Sequence, residues 1–141
     1  MKYHPIVKKR NNIRIAVILL AHGSPKNHAK NVLLKIKNKI SKYFAKSCIL
    51  KYAFIQFDEP SLLQCLNRIS SKVRHIVILP VFISHGKHTL NDIPMIVKSF
   101  KKNRKKGAFN SVNVVIAEPL EAHDMVVKAL YSRYMTAIGK D

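Results

Sequence analysis

Arg74-His-Ile-Val-Ile-Leu-Pro-Val-Phe-Ile-Ser-His-Gly-Lys-His-Thr-Leu-Asn-Asp-Ile-Pro94 is the stretch that sets the fold. It opens as an apolar run from Ile76 to Ile83, nearly all β-branched, leucine or aromatic. Such a run suits a strand buried on both faces, the kind found in parallel sheets. Pro80 lies within it and argues for an edge or a bulge, since proline donates nothing to a ladder. The chain then turns polar at Ser84-His85-Gly86-Lys87-His88. Asp92 reads as a helix N-cap with Pro94 in the first turn, where a missing N–H costs nothing. The unit is strand, loop, helix, and its loop carries two imidazoles at the carboxyl end of the strand, where open α/β sheets bind ligands.

Working outward, the same unit recurs. Ile13–Leu20 is an apolar strand, followed by the turn cluster Ala21-His22-Gly23-Ser24-Pro25 and a helix from Lys26 to Lys46. Cys48–Phe57 is a second strand, and Asp58-Glu59-Pro60-Ser61 opens a helix through about Ile69. The helix after the opening stretch runs from Asp92 to about Lys102. Val112–Ala117 is a fourth strand, and a last helix carries Ala122, Met125, Val126, Ala129, Leu130 and Tyr134 on one stripe. Strict βαβαβαβα alternation predicts a single doubly wound α/β domain over residues 13–138, with a four-stranded parallel sheet, helices on both faces and a flavodoxin-like order. Residues 1–12 read as a basic N-terminal arm.

The chain has 141 residues, 48% of them apolar, which excludes general disorder and suits one domain. No apolar run reaches the roughly 20 residues of a spanning helix, and the start lacks a signal-peptide pattern, so a cytoplasmic protein without a membrane segment is expected. Cys48 and Cys65 have no metal-like spacing and read as reduced thiols. The net charge of +19 predicts attraction to polyanions, whether nucleic acid, anionic membrane or a polycarboxylate substrate; lysine solvating helix faces accounts for much of it.

On a parallel sheet every strand-to-helix loop lies at one edge. Asp58, Glu59, Asp92, Glu118, Glu121 and Asp124 fall there, leaving only Asp141 elsewhere. Helix N-termini favour carboxylates, which explains the acids. It does not explain His22, His28, His85, His88 and His123 at the same edge. Imidazoles there point to a site that handles metal ions or protons. His22 follows strand one and His88 follows strand three, and those strands are commonly neighbours in doubly wound folds. Glycines at 23 and 86 let the backbone approach a ligand. His85-x-x-His88 is also a structural zinc half-site, but no second pair completes it.

Leu-Leu-Ala-His22-Gly-Ser, Phe-Ile-Gln56-Phe-Asp-Glu-Pro-Ser, Leu-Pro-Val-Phe-Ile-Ser-His85-Gly-Lys-His88-Thr-Leu-Asn-Asp-Ile-Pro and Ala-Glu-Pro-Leu occur in that order. Together they resemble the small sirohydrochlorin chelatases, the short class II tetrapyrrole chelatases, over about residues 13–135. The resemblance implies insertion of a divalent ion (cobalt, nickel or iron) into sirohydrochlorin or a close derivative. It implies no permanently bound cofactor, the metal being a substrate, and a homodimer with its pocket between the sheet ends. His22 and His88 map onto the family's metal-handling histidines and are the expected catalytic residues. Ser24, Lys26, Ser84, His85, Gly86 and Lys87 flank them as expected substrate contacts, the lysines for the tetrapyrrole carboxylates.

Two departures stand out. Gln56 occupies a position where relatives often carry glutamate, and an amide accepts no proton at neutral pH; either Asp58, Glu59 or a third histidine takes the role, or the protein is slower or no longer catalyses. Pro25-Lys26 stands where an arginine often follows His-Gly-Ser, leaving a charge but no guanidinium fork. Two other readings compete: a metal carrier without insertase activity, and a nucleic-acid-binding module using Lys8-Lys-Arg10 and Lys98–Lys106. Against the latter, no aromatics interleave those charges as a stacking platform requires.

Overall fold

The structure, a computed structural model, describes residues 14–104 and 111–139, the side chains of Lys87 and His88 excepted. The expected basic arm, and the part of the basic run at 105–110, lie outside the described residues. Four strands, β1 (Arg14–Ala21), β2 (Ile49–Phe54), β3 (Val73–Pro80) and β4 (Asn113–Ile116), form one parallel sheet in the order β2-β1-β3-β4. The helices are α1 (His28–Ile40), extended by a 3-10 turn at Ser41–Tyr43, α2 (Leu62–Asn67), α3 (Lys87–Arg104) and α4 (Asp124–Ala137). β1 and β3 are hydrogen-bonded neighbours, with Val17 opposite Val77 and Leu20 opposite Pro80. The first and third loops therefore share one edge, as the sequence predicts.

The period-2 alternation of strands sends successive side chains to opposite faces. Ala16, Ile18, Leu20, Ile76 and Ile78 face a core closed by Leu62 and Leu66 of α2 and Ile93, Val97 and Phe100 of α3. Leu19, Ala21 and Phe54 face Leu33 of α1. Each leucine or isoleucine so buried contributes about 1.5–3 kcal/mol of transfer free energy. Pro80 ends β3 rather than bulging it. Pairing with β1 continues past it, Val81 N–H donating to Leu20 C=O at 2.7 Å.

Two expectations need correction. α3 begins at Lys87, five residues before the expected cap Asp92, and Pro94 lies inside it. At that earlier start Gly86 C=O accepts from Leu90 N–H at 3.3 Å and from Thr89 Oγ1–H at 2.9 Å. α2 begins after Ser61, not at Asp58. Ser61 forms a capping box, its hydroxyl accepting from Gln64 N–H while Gln64 Oε1 accepts from Ser61 N–H. The stripe of α4 is real, but no residue of that helix is buried. Both cysteines are free; Cys65 is buried and Cys48 half-buried. No helix among the described residues is long and apolar enough to cross a membrane.

Candidate active site

His22 follows the last residue of β1, and the parallel ladder continues beneath it. Ile55 N–H donates to Ala21 C=O and Gln56 N–H to His22 C=O, each at 3.0 Å. This close approach requires Gly23, at φ +92°: a Cβ there would lie 1.8 Å from Gln56 O. The next residue is tied down from the same side. Ser24 N–H donates to Asp58 Oδ2 at 2.8 Å, and Asp58 is buried. Ser24 Oγ in turn accepts from Ala29 N–H at 3.1 Å. The exposed His22 ring thus stands on a backbone held from the loop after β2 and from α1.

The second loop brings an aromatic ring between two imidazoles. Phe82 lies 4.9 Å from the His22 ring and 5.8 Å, edge-on, from the His85 ring. Behind His85, buried Thr89 Oγ1 lies 3.4 Å from Nδ1. Thr89 has one hydroxyl proton, already given to Gly86 C=O. Its oxygen therefore offers a lone pair to Nδ1, favouring the tautomer that carries the proton there. That tautomer leaves His85 Nε2 with a free lone pair, the form that ligates a metal or takes a proton.

The structure brings His22 and His85 together about Phe82. Lys87 and His88 open α3 directly after this loop; their side chains lie outside the described residues. Ser84, Lys26, Glu59 and the side chain of Gln56 are exposed along the same edge, while the backbone of Gln56 is engaged with His22 and Asp58. A Cβ on Gly86 would meet no atom within 4 Å, so that glycine faces open space rather than protein. Sequence reasoning missed the supports Phe82 and Thr89, and named Asp58 as a proton-handling acid rather than as the acceptor that holds Ser24 N–H. It named His28 only as one of five edge histidines; His28 and His22 line an apolar recess of about 350 Å³ with Val32, Ile36 and Val81. Exposed Phe57, Ile83 and Leu120 add an apolar rim. Among the described residues no three His, Cys, Asp or Glu side chains group as a metal site. The arrangement offers paired neutral imidazoles, suited to ligands that exchange and to protons that move.

The profile of the CbiX family matches residues 16–137. A sirohydrochlorin cobaltochelatase of Methanococcus aeolicus is 35% identical over 83 residues, a match spanning 58% of this chain and 57% of that protein. One of Saccharolobus solfataricus is 28% identical over 131 residues, covering 90% of this chain and 98% of that one. Among solved structures, a putative cobalamin (vitamin B12) biosynthesis CbiX protein from Marinobacter aquaeolei superposes with a TM-score of 0.69 at 21% identity, covering 90% of this chain and 99% of that one. The sirohydrochlorin chelatase SirB from Bacillus subtilis subspecies spizizenii, in complex with cobalt, gives 0.72 at 19% identity, covering 88% of this chain but 51% of SirB. At such identities the two structures speak for the fold. The matched profile runs from the third residue of β1 to the end of α4, and on that match this chain belongs to the CbiX family.

Proposed function

We propose that this protein inserts a divalent metal ion into sirohydrochlorin or a close tetrapyrrole derivative, with cobalt the first candidate, as in the names of its curated relatives. The observation that carries the reading is the pair of imidazoles, His22 and His85, flanking Phe82 where β1 and β3 end side by side. The reaction takes in one M²⁺ and the free macrocycle and releases the metallated macrocycle and two protons. His22 and His88 hold the ion and take up the pyrrole protons, since neutral imidazole ligates borderline ions and titrates near neutral pH. His85, with Nε2 free, is a third group for either task. The apolar rim suits the macrocycle. Lys26 and Lys87, with Ser24, Ser84 and Gly86, suit its carboxylate fringe, and the cationic chain favours encounter with that fringe. Gln56 takes no proton, so Glu59 and the histidines carry that duty. The metal is a substrate, and the protein works as a cytoplasmic homodimer.

The test is anaerobic metallation of sirohydrochlorin followed by absorbance, offering cobalt, nickel and iron separately. His22→Ala and His88→Ala are each expected to lower the rate by about 10²–10⁴ with the circular dichroism unchanged. An undiminished rate in the His88→Ala protein would remove the basis of the assignment.

A further inference from the structure

Much of the positive charge of this chain is gathered far from the histidines. Arg14 and Arg74 lie in the first turns of β1 and β3, and Lys46 and Lys72 in the turns before β2 and β3. Arg68 follows α2, and Lys101, Lys102 and Arg104 close α3. On a parallel sheet all of these fall at the amino edge, and no acid among the described residues falls with them. The eight residues of β1, at about 3.3 Å each, put that edge about 25 Å from His22. That is roughly three Debye lengths at 0.15 M salt. Helix C-termini favour cations, which accounts for Arg68 and the end of α3. It does not account for Arg14, Lys46, Lys72 or Arg74, which belong to no helix. Encounter with a substrate carboxylate draws on the charge of the whole chain. It gives no reason to collect that charge at the pole farthest from the site.

The pole carries more than charge. Arg104 Nη2 donates to Ser70 C=O at 3.0 Å and to Val73 C=O at 3.1 Å, and the guanidinium lies 5.4 Å from the centre of the buried Phe100 ring. Held in this way, its Nε and Nη1 protons have no acceptor among the described residues. Two clefts share Arg104. One, of about 240 Å³, adds Asn67, Ser71 and Asn103; the other, of about 230 Å³, adds Lys101 and Ser111. Guanidinium, ammonium, amide and hydroxyl donors without a carboxylate are the set that contacts phosphate and sugar in nucleic acids.

We infer that this amino pole binds the phosphate backbone of duplex nucleic acid without reading its sequence, an activity beside the chelatase reading and independent of it. Free rings are scarce here: Phe100 is buried, and Tyr43 has the Lys42 ammonium 5.2 Å over its ring. A missing stacking platform counts against single strands, whose bases need one. It does not count against a duplex, which stacks its bases inside and presents a charge about every 1.7 Å of axis. Four strand ends about 4.8 Å apart, with the helix ends beside them, make a face roughly 20 Å across, enough to meet about five phosphates. A lipid surface fits less well, because proteins held there add apolar side chains to basic ones. The exposed Phe57, Ile83, Leu90 and Leu120 stand at the other edge instead. Docked by this pole, the chain keeps its histidine edge about 25 Å from the duplex and open to substrate.

The test is a fluorescence anisotropy titration of the full chain against a labelled duplex of about 20 base pairs and arbitrary sequence, at several salt concentrations. Binding in the micromolar range is expected, with a slope of log K against log salt of about −4 to −5. Lys72→Gln combined with Lys102→Gln, both exposed, is expected to weaken binding more than about tenfold at 0.1 M salt and to flatten the slope by about 2. Lys30→Gln combined with Lys35→Gln removes the same charge from α1, away from the pole, and is expected to change affinity less than about threefold. Equal losses in the two double variants would assign binding to net charge alone and overturn the inference. So would a slope shallower than about −2. Retention on vesicles of phosphatidylserine and phosphatidylcholine without binding to the duplex would overturn it in favour of a membrane surface. None of these readouts uses a metal or a tetrapyrrole, so a failure here leaves the chelatase reading standing, and a failure to metallate leaves this one.

Discussion

A Cβ at position 23 would lie 1.8 Å from the carbonyl oxygen of Gln56, on a backbone at φ +92°. Both faults act at once, so Gly23→Ala must either lose the Gln56 N–H···O=C His22 bond or shift the loop that carries His22. The expected loss is about 2–4 kcal/mol, read as a lower urea midpoint at unchanged slope. An unchanged midpoint would mean that the two loops do not approach as closely as described. Cys65 gives a pH dependence. Burial pushes its thiol up from an ordinary 9.0 to about 11, with Lys51 and Arg68 pulling partly the other way. The folded chain thus keeps a proton that the unfolded chain releases. The contribution is complete below pH 9 and is lost as pH rises toward 11. Unfolding midpoints between pH 8 and 11 should therefore fall more steeply for the native chain than for Cys65→Ala; parallel slopes would contradict a buried neutral thiol.

At the scale of the element, α3 contains a proline it does not need for its fold. Pro94 is the eighth residue of the helix and exposed, so it withholds an N–H from Leu90 C=O and its ring crowds that carbonyl. Pro94→Ala should raise stability by about 1–2 kcal/mol, the gain in the helix reduced by the freer unfolded chain. A lowered thermal midpoint would show that the ring itself is packed. The same helix marks how far the sequence could be read. The strands were legible because buried parallel strands are continuous apolar runs, and the adjacency of β1 and β3 was expected because doubly wound folds commonly place those strands side by side. The start of α3 was not, because Asp92 and Pro94 form a strong local cap signal, whereas the helix already begins at Lys87 with Leu90 N–H donating to Gly86 C=O. Asp58 misled in the same way: an acid before proline reads as a helix start, yet its oxygen receives Ser24 N–H across 34 residues of chain. His22 and His85 were legible as site residues because each stands beside a glycine just past a strand end, whereas His123, grouped with them in the sequence, proves to be a helix cap, its Nδ1 accepting from Met125 N–H. Phe82, which holds His22 and His85 apart, looked like one more core residue.

Across the whole molecule, charge is sorted by the direction of the strands. The carboxyl edge holds Asp58, Glu59, Asp92, Glu118, Glu121 and Asp124, whereas the opposite pole holds Arg14, Lys46, Arg68, Lys72, Arg74, Lys101, Lys102 and Arg104, with no acid among the described residues there. The crowding is felt locally: burial, and then the charge of Arg74, lower the pKa of Arg104. Arg104 is nonetheless held, donating to the carbonyls of Ser70 and Val73 at 3.0 and 3.1 Å. A pole of like charges stores repulsion that unfolding relieves, and salt screens it, the Debye length shrinking from about 30 Å at 0.01 M to about 8 Å at 0.15 M. The thermal midpoint should therefore rise by several degrees over that range in sodium chloride at fixed protein concentration. Lys102→Glu, on an exposed turn of α3, should raise the midpoint at low salt and gain little at high salt. That difference separates relief of repulsion from a general salt effect: equal gains at both ionic strengths would mean that the substitution acts through helix propensity and that the pole carries no strain.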